Sequence, residues 1–402
     1  MTHKTRENRT EDPLTTRLRA ETPGCEKVLH FNNAGAGLMP RQVLDAVKTH
    51  LDLEASTGGY EAFAAVQPAY LDTYHAIAEL IRAHPGEIAL AENATRAWDM
   101  VFYGIRWKPG DRVLTAQASY ASNYLAMMQV RDRFGIDIDV APNDADGQVD
   151  VHALEGLISA RTRLICLTHV PTNSGLVNPA EDVGEVARKH GLPYLLDACQ
   201  SAGQVDLDVN HIGCDFLSAT GRKYLRGPRG TGFLFVRSDA MDLLDPPFLD
   251  LHAARWSALN AYELMPDARR FESWEGYVAG KIGLGVAVRY ALEIGMPTLE
   301  ARIRDLAAGL RQQLAGLPGI TVHDEGVRQC GIVTFSHART PSSDIRTHLA
   351  ALKMNVNLSD PDWARLDAER RGLPIMIRAS IHAYNTLDEV DRFTDAVRLA
   401  TT

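Results

Sequence analysis

The chain has 402 residues, 45% hydrophobic and 23% charged, a balance that supports a large packed core and excludes disorder as its main state. Its formal charge of −9, from 42 Lys and Arg against 51 Asp and Glu, comes without a long basic block, which argues against a nucleic-acid partner. The cysteines Cys25, Cys166, Cys199, Cys214 and Cys330 are scattered without a CxxC pair, so they read as reduced thiols and suggest neither a disulfide framework nor a metal site.

The start of the chain, MTHKTRENRTEDPLTTRLRAETPG, lacks the basic head and apolar centre of a secretory signal. No apolar run approaches the roughly 18 residues needed to cross a bilayer. A cytoplasmic protein with no membrane partner is expected. Residues 1–29 read as an N-terminal arm, flexible over about the first 24 or ordered against a partner subunit. The body begins near His30. From there to about residue 240, short apolar runs (IALA at 88, DRVLTA at 111, TRLICLTHV at 162, PYLLDA at 193, CDFLSA at 214, TGFLFV at 231) alternate with helical patterns such as AEDVGEVARKH. This alternation predicts a large three-layer α/β domain over 30–290 with a mainly parallel sheet, TGFLFV being its antiparallel member. The text from 276 to 316 is mostly helical. Beyond it, GITVHD, GIVTFSH and IMIRASI as strands, with SSDIRTHLAAL and DEVDRFTDAVRLA as helices, predict a small α+β domain over 291–402.

The most informative stretch is PYLLDACQSAG followed by CDFLSATGRKYLRGPRGTGFLFV. Asp197 ends an apolar run, which places an acid at the carboxyl edge of a parallel sheet, where open α/β folds bind ligands. Of the eight lysines, only Lys223 lies between a strand-like run and a glycine-rich loop, and it is the best candidate for covalent chemistry.

Together, D-A-x-Q (Asp197, Ala198, Gln200) and K-x-x-x-G-P-x-G-x-G from Lys223 resemble the class V aminotransferase and cysteine desulfurase family, fold-type I enzymes that use pyridoxal 5'-phosphate. The resemblance runs from about residue 30 to 395. It implies that Lys223 holds the cofactor and moves protons at the substrate α-carbon, and that Asp197 keeps the pyridine nitrogen protonated. Gln200 would meet the cofactor's phenolic oxygen. Ala94, Thr95 and Arg96, at the start of the helix ATRAWDMVF, would receive the phosphate together with Thr220. Tyr120 stands where the family stacks a histidine on the ring. Asn173 would lie near the substrate and phenolic oxygen, with His169 a packed core residue. Arg378 would clamp the substrate α-carboxylate. The loop at 269–277 aligns with one that a partner subunit lends to the phosphate site, which implies a homodimer with shared active sites and makes Trp274 a cofactor-binding residue. Trp274 and Glu275 stand there in place of the usual glycine and small hydroxyl residue.

Two departures bear on the reaction. A desulfurase carries a mobile cysteine in the loop before the arginine strand, and here that loop, NVNLSDPDWARLDAERRGLPIMIR, has none. The residue before the lysine is Arg222 instead of the usual histidine, a variant similar to that of C–S lyases such as hercynylcysteine sulfoxide lyases and of isopenicillin-epimerase-like members. Arg222 would bind the phosphate or a second acid group, and Tyr60 in STGGYEAF would stand near the substrate entrance. Cys199 reads as a small filler behind the cofactor. The resulting expectation is a pyridoxal-phosphate lyase that cleaves a C–S bond of an S-substituted cysteine or its sulfoxide, with transamination or epimerisation of a small amino acid as the alternatives.

Overall fold

The computed structural model describes residues 12–402. Its centre is a seven-stranded sheet in the order Ile88–Ala91, Gly232–Val236, Phe216–Thr220, Tyr194–Asp197, Thr162–Thr168, Arg112–Ala116, Asp137–Ala141. The last five strands run parallel to one another, and Gly232–Val236 is antiparallel to both of its neighbours, as the sequence predicts. The inner strands are near-continuous apolar runs because both faces are covered. Leu195 faces a core that contains Trp98, Val101 and Met127 of helices Ala94–Phe102 and Ala121–Phe134. Leu196, its neighbour, faces the opposite core with Ile77, Val183 and Leu284 of helices Gly59–Ile81, Ala180–His190 and Val278–Ile294. Three layers follow directly from this alternation.

A second sheet is antiparallel, ordered Ile320–Val322, Ile332–His337, Met376–Ser380, Asn357–Ser359, and it packs with helices Met296–Ala315, Ser342–Ala351 and Leu387–Thr401. At Gly295, φ of +91° separates helix Val278–Ile294 from helix Met296–Ala315, whose first half packs with the large sheet's core and whose second half packs with the small sheet's. Leu29–His30 pairs with Met354–Asn355, so the chain enters the body beside the small unit's strands. Asp324, fully buried, joins the two units. It accepts the Arg311 Nε–H at 2.7 Å, the Thr334 hydroxyl at 2.7 Å and the Gly175 N–H, from a loop of the large unit, at 3.1 Å.

The structure corrects the reading of the arm. Pro13–Ala20 is a helix capped by Asp12, whose Oδ1 accepts the Thr15 N–H at 3.0 Å, and its Leu18 is fully buried in the core. One apolar residue per turn was too short a signal for periodicity. The part of the arm before residue 12 lies outside the described residues. The hairpin Ala254–Ala258 with Ala261–Leu264 also escapes the sequence reading, because its strands are largely exposed and carry no buried alternating face.

Helix Ala180–His190 crosses close to the short helix Val209–Ile212 at Gly184, where an added Cβ collides with the Ile212 carbonyl. A helical glycine-to-alanine change normally stabilises by about 1 kcal/mol. At this position the sign reverses: Gly184→Ala is expected to lower stability by about 1–3 kcal/mol, seen as a lower urea midpoint at unchanged slope.

Candidate active site

The carboxyl ends of three adjacent parallel strands converge on one cavity of about 460 Å³. Register places Thr168 beside Asp197, and the strand Phe216–Thr220 delivers Thr220 and then Lys223 to the same edge. Asp197 is buried, its Oδ1 accepting the Cys199 N–H at 2.9 Å and its Oδ2 the Asn123 amide at 2.8 Å. Burial pushes its carboxyl above the ordinary value, opposed by those two bonds and by the Lys223 charge. Lys223 is 8% exposed, and its Nζ lies 3.2 Å from Cys199 Sγ. Burial lowers the pKa of its amine and so favours the neutral form that a base or nucleophile needs.

One end of the cavity is the first turn of helix Ala94–Phe102 with the loop around Gly230. Asn93 caps that helix, its Oδ1 accepting the Arg96 N–H at 2.9 Å, while Ala94 and Thr95 line the cavity. This is an arrangement suited to an anion. Deeper in the structure, Arg378 is 3% exposed and donates from Nη1 to the Thr172 carbonyl at 3.1 Å and to its hydroxyl at 2.6 Å. Its Nε is buried without a partner, and none of the ion pairs among the described residues includes it. Burial pushes its pKa down to about 10. Gln200 donates from Nε2 to Ala34 O and to Thr172 Oγ1, both at 3.3 Å, and leaves Oε1 buried and unbonded. Buried groups left open in this way are what a bound molecule satisfies.

Lys223, Asp197, Gln200, Thr220, Arg222, Tyr120, Ala94 and Thr95 all line the one cavity. Arg222 donates to the Gly35 carbonyl, and Tyr120 precedes helix Ala121–Phe134 with its N–H on Thr168 Oγ1 at 3.4 Å. Five expected site residues do not line it: Arg378, which is linked to the cavity through Thr172, and four others. Asn173 accepts the Ser359 hydroxyl at 2.7 Å and donates to the Asp360 carbonyl at 3.0 Å, so its amide ties the two units together, and Thr172, one residue earlier, lines the cavity instead. The Arg96 side chain lies over the Phe248 ring at 4.4 Å because its phase on the helix turns it away. Tyr60 and Trp274, 75% and 59% exposed, line a separate cavity of about 570 Å³ together with Glu275.

Asn123 was missed, although the spacing Tyr120–Asn123 spans one helical turn and so gives both one face. Cys199, expected as a small filler behind the cofactor, lines the cavity with its thiol against Lys223. His169 is buried and burial pushes its pKa to about 3, which makes it a neutral core residue. Among the described residues, no cluster of His, Cys, Asp and Glu is arranged to hold a metal ion.

The aminotransferase class-V family model matches residues 29–393, and the chain belongs to that family. A probable cysteine desulfurase of Xylella fastidiosa is 29% identical over 402 residues, covering 96% of this chain and 95% of that protein. Among solved structures, an apo cysteine desulfurase from Thermococcus onnurineus NA1 superposes with a TM-score of 0.90 at 25% identity, covering 96% of this chain and 98% of that one. A cystine C–S lyase in complex with cysteine persulfide shares the fold with a TM-score of 0.84 at 23% identity, covering 94% and 99%.

The chain is thus a class V, cysteine desulfurase-like enzyme that works with pyridoxal phosphate, and the donor set fits that group: an amine for the aldehyde, a buried acid for the ring nitrogen and a helix start for the phosphate. In the wild type, borohydride should fix the cofactor's chromophore to the protein so that it survives denaturation. Lys223→Ala is expected to abolish this fixation, and a chromophore retained by that variant would show that another amine holds it.

Proposed function

We propose that the enzyme is a β-eliminating lyase that cleaves the C–S bond of an S-substituted cysteine or its sulfoxide. The observation that carries this reading is the placement of its thiols. No cysteine lies between residues 355 and 378, Cys166, Cys214 and Cys330 are buried away from the cavity, and Cys199 sits against the base. The site therefore offers one base and a carboxylate receiver, with no mobile sulfur carrier.

Arg378 receives the substrate carboxylate on its fork of N–H groups, one arm of which is already steadied by Thr172. This holds the α-carbon at a fixed distance from Lys223. Bound at Asp197 and Lys223, pyridoxal phosphate supplies the electron sink for the pair left at that carbon. The Lys223 amine, freed when the substrate's own amino group takes its place and with its neutral form favoured by burial, takes the α-proton. The Cβ–S bond then breaks with its electron pair on sulfur, which leaves as thiolate, or as sulfenate from a sulfoxide. Water completes the conversion of the remaining fragment to pyruvate and ammonia.

Cysteine desulfuration is the second reading, favoured by the Cys199 thiol in the cavity and by the activity named for the relatives. The two separate by product. Cys199, Cys214 and Cys330 changed together to serine should leave pyruvate and ammonia forming from S-substituted cysteines. Alanine from cysteine, with a persulfide on Cys199 and no pyruvate, would establish desulfuration instead, and keto-acid-dependent turnover would establish transamination.

We also infer a homodimer. Large apolar side chains gather exposed on the hairpin and its flanks, Phe248, Leu251, Trp256, Leu259, Tyr262 and Trp274, more than a monomer's surface usually gathers in one segment. Sedimentation should give twice the chain mass, and Trp256→Asp with Tyr262→Asp should shift it toward the monomer.

A further inference from the structure

Within one chain, the anion-binding end of the Lys223 cavity has fewer free donors than a phosphate dianion needs, and the loop 269–277 that a partner would lend carries Trp274 and Glu275 where a small hydroxyl donor is usual. Asn93 occupies the Arg96 N–H, so the helix start offers only Ala94 and Thr95. The Thr220 hydroxyl already donates to the Thr231 carbonyl at 3.3 Å. Glu92 lines the same end and its carboxylate opposes an anion. Lys281 lies near that carboxylate but lines a neighbouring cavity and donates to the Tyr70 hydroxyl at 3.2 Å, so a cation on the Lys223 side has to offset it. Arg96 does not, since its guanidinium lies over Phe248, and Arg222 is directed to the Gly35 carbonyl.

Arg229 remains. It lines this cavity, it is exposed, and no hydrogen bond or ion pair among the described residues involves it. The loop is shaped to hold it there. Gly230, at φ of +76°, turns the chain immediately after it, and Gly232 lies so close that an added Cβ would stand 2.9 Å from the Asn93 backbone, which presses the loop onto the helix start. The buried and unbonded Gln200 Oε1 in the same cavity independently marks it as built for a ligand.

We propose that Arg229 is the guanidinium that clamps the cofactor's phosphate, a role that the family resemblance implies for Arg96, with Arg222 as a further candidate. The planar fork suits two phosphate oxygens. The inference rests on the cofactor reading above, and its test separates the two. Cofactor-stripped wild type and Arg229→Ala are titrated with pyridoxal phosphate and with pyridoxal, which lacks the phosphate, following the lysine-bound chromophore. Arg229→Ala should bind pyridoxal phosphate at least tenfold more weakly and pyridoxal within twofold of wild type, and Arg229→Lys should recover part of the loss. On the wild type alone, inorganic phosphate should strengthen pyridoxal binding by filling the vacated subsite. Equal weakening toward both ligands, no change toward either, or loss accompanied by a change in sedimentation would overturn the clamp. A wild type with no reducible chromophore would overturn the cofactor reading and the clamp with it.

Discussion

A carboxylate taken out of water at the end of a central strand has to be held by its surroundings, and much of this active site consists of what holds Asp197. Its two oxygens are claimed by an amide from the helix after strand Arg112–Ala116, two places away in the sheet, and by a backbone N–H of its own turn. The remaining compensation is charge, from Lys223. Removing a partner from such a group is costly, because the unpaired charge stays buried. The same parallel register that places Thr168 and Thr220 at this edge therefore also fixes the acid and the lysine in relation to each other.

The sequence was most legible where one local pattern determines both fold and function. Asp197, Thr220 and Lys223 stand at ends of apolar runs, and a parallel strand's end is a binding edge whatever follows it. Ala94 and Thr95 open an apolar-periodic helix, which is equally local. The misplaced residues depend on phase or on distant packing. Arg96 is one step around the helix from Thr95, enough to turn it onto Phe248. Asn173 and Thr172 differ by one position in an irregular loop, and only the strand Asn357–Ser359, far along the chain, decides which of them faces inward.

Tyr60 and Trp274 illustrate a different limit. Their resemblance-based roles concern an assembly, whereas in one chain they share a separate, aromatic-lined cavity. The contact of Cys199 with Lys223 depends on the fold of a turn, which no local sequence pattern specifies. The hairpin at 254–264 left no trace because a strand without a buried face has no alternation to read.

The loop from Thr172 to Gly175 joins three of these features. Thr172 steadies Arg378, Asn173 binds the strand beside it, and Gly175 is held by Asp324 of the small unit. Arg378 therefore cannot shift without carrying this loop, and the loop continues from the strand Thr162–Thr168 beside Asp197. The span from carboxylate receiver to base acts as a ruler whose length is set by the backbone and not by the substrate. On the proposed reading, with Arg378 as carboxylate receiver and Lys223 as base, such a ruler would admit α-amino acids and exclude β-amino acids, whose extra carbon moves the bond to be broken out of reach of Lys223, even though their charged groups are identical.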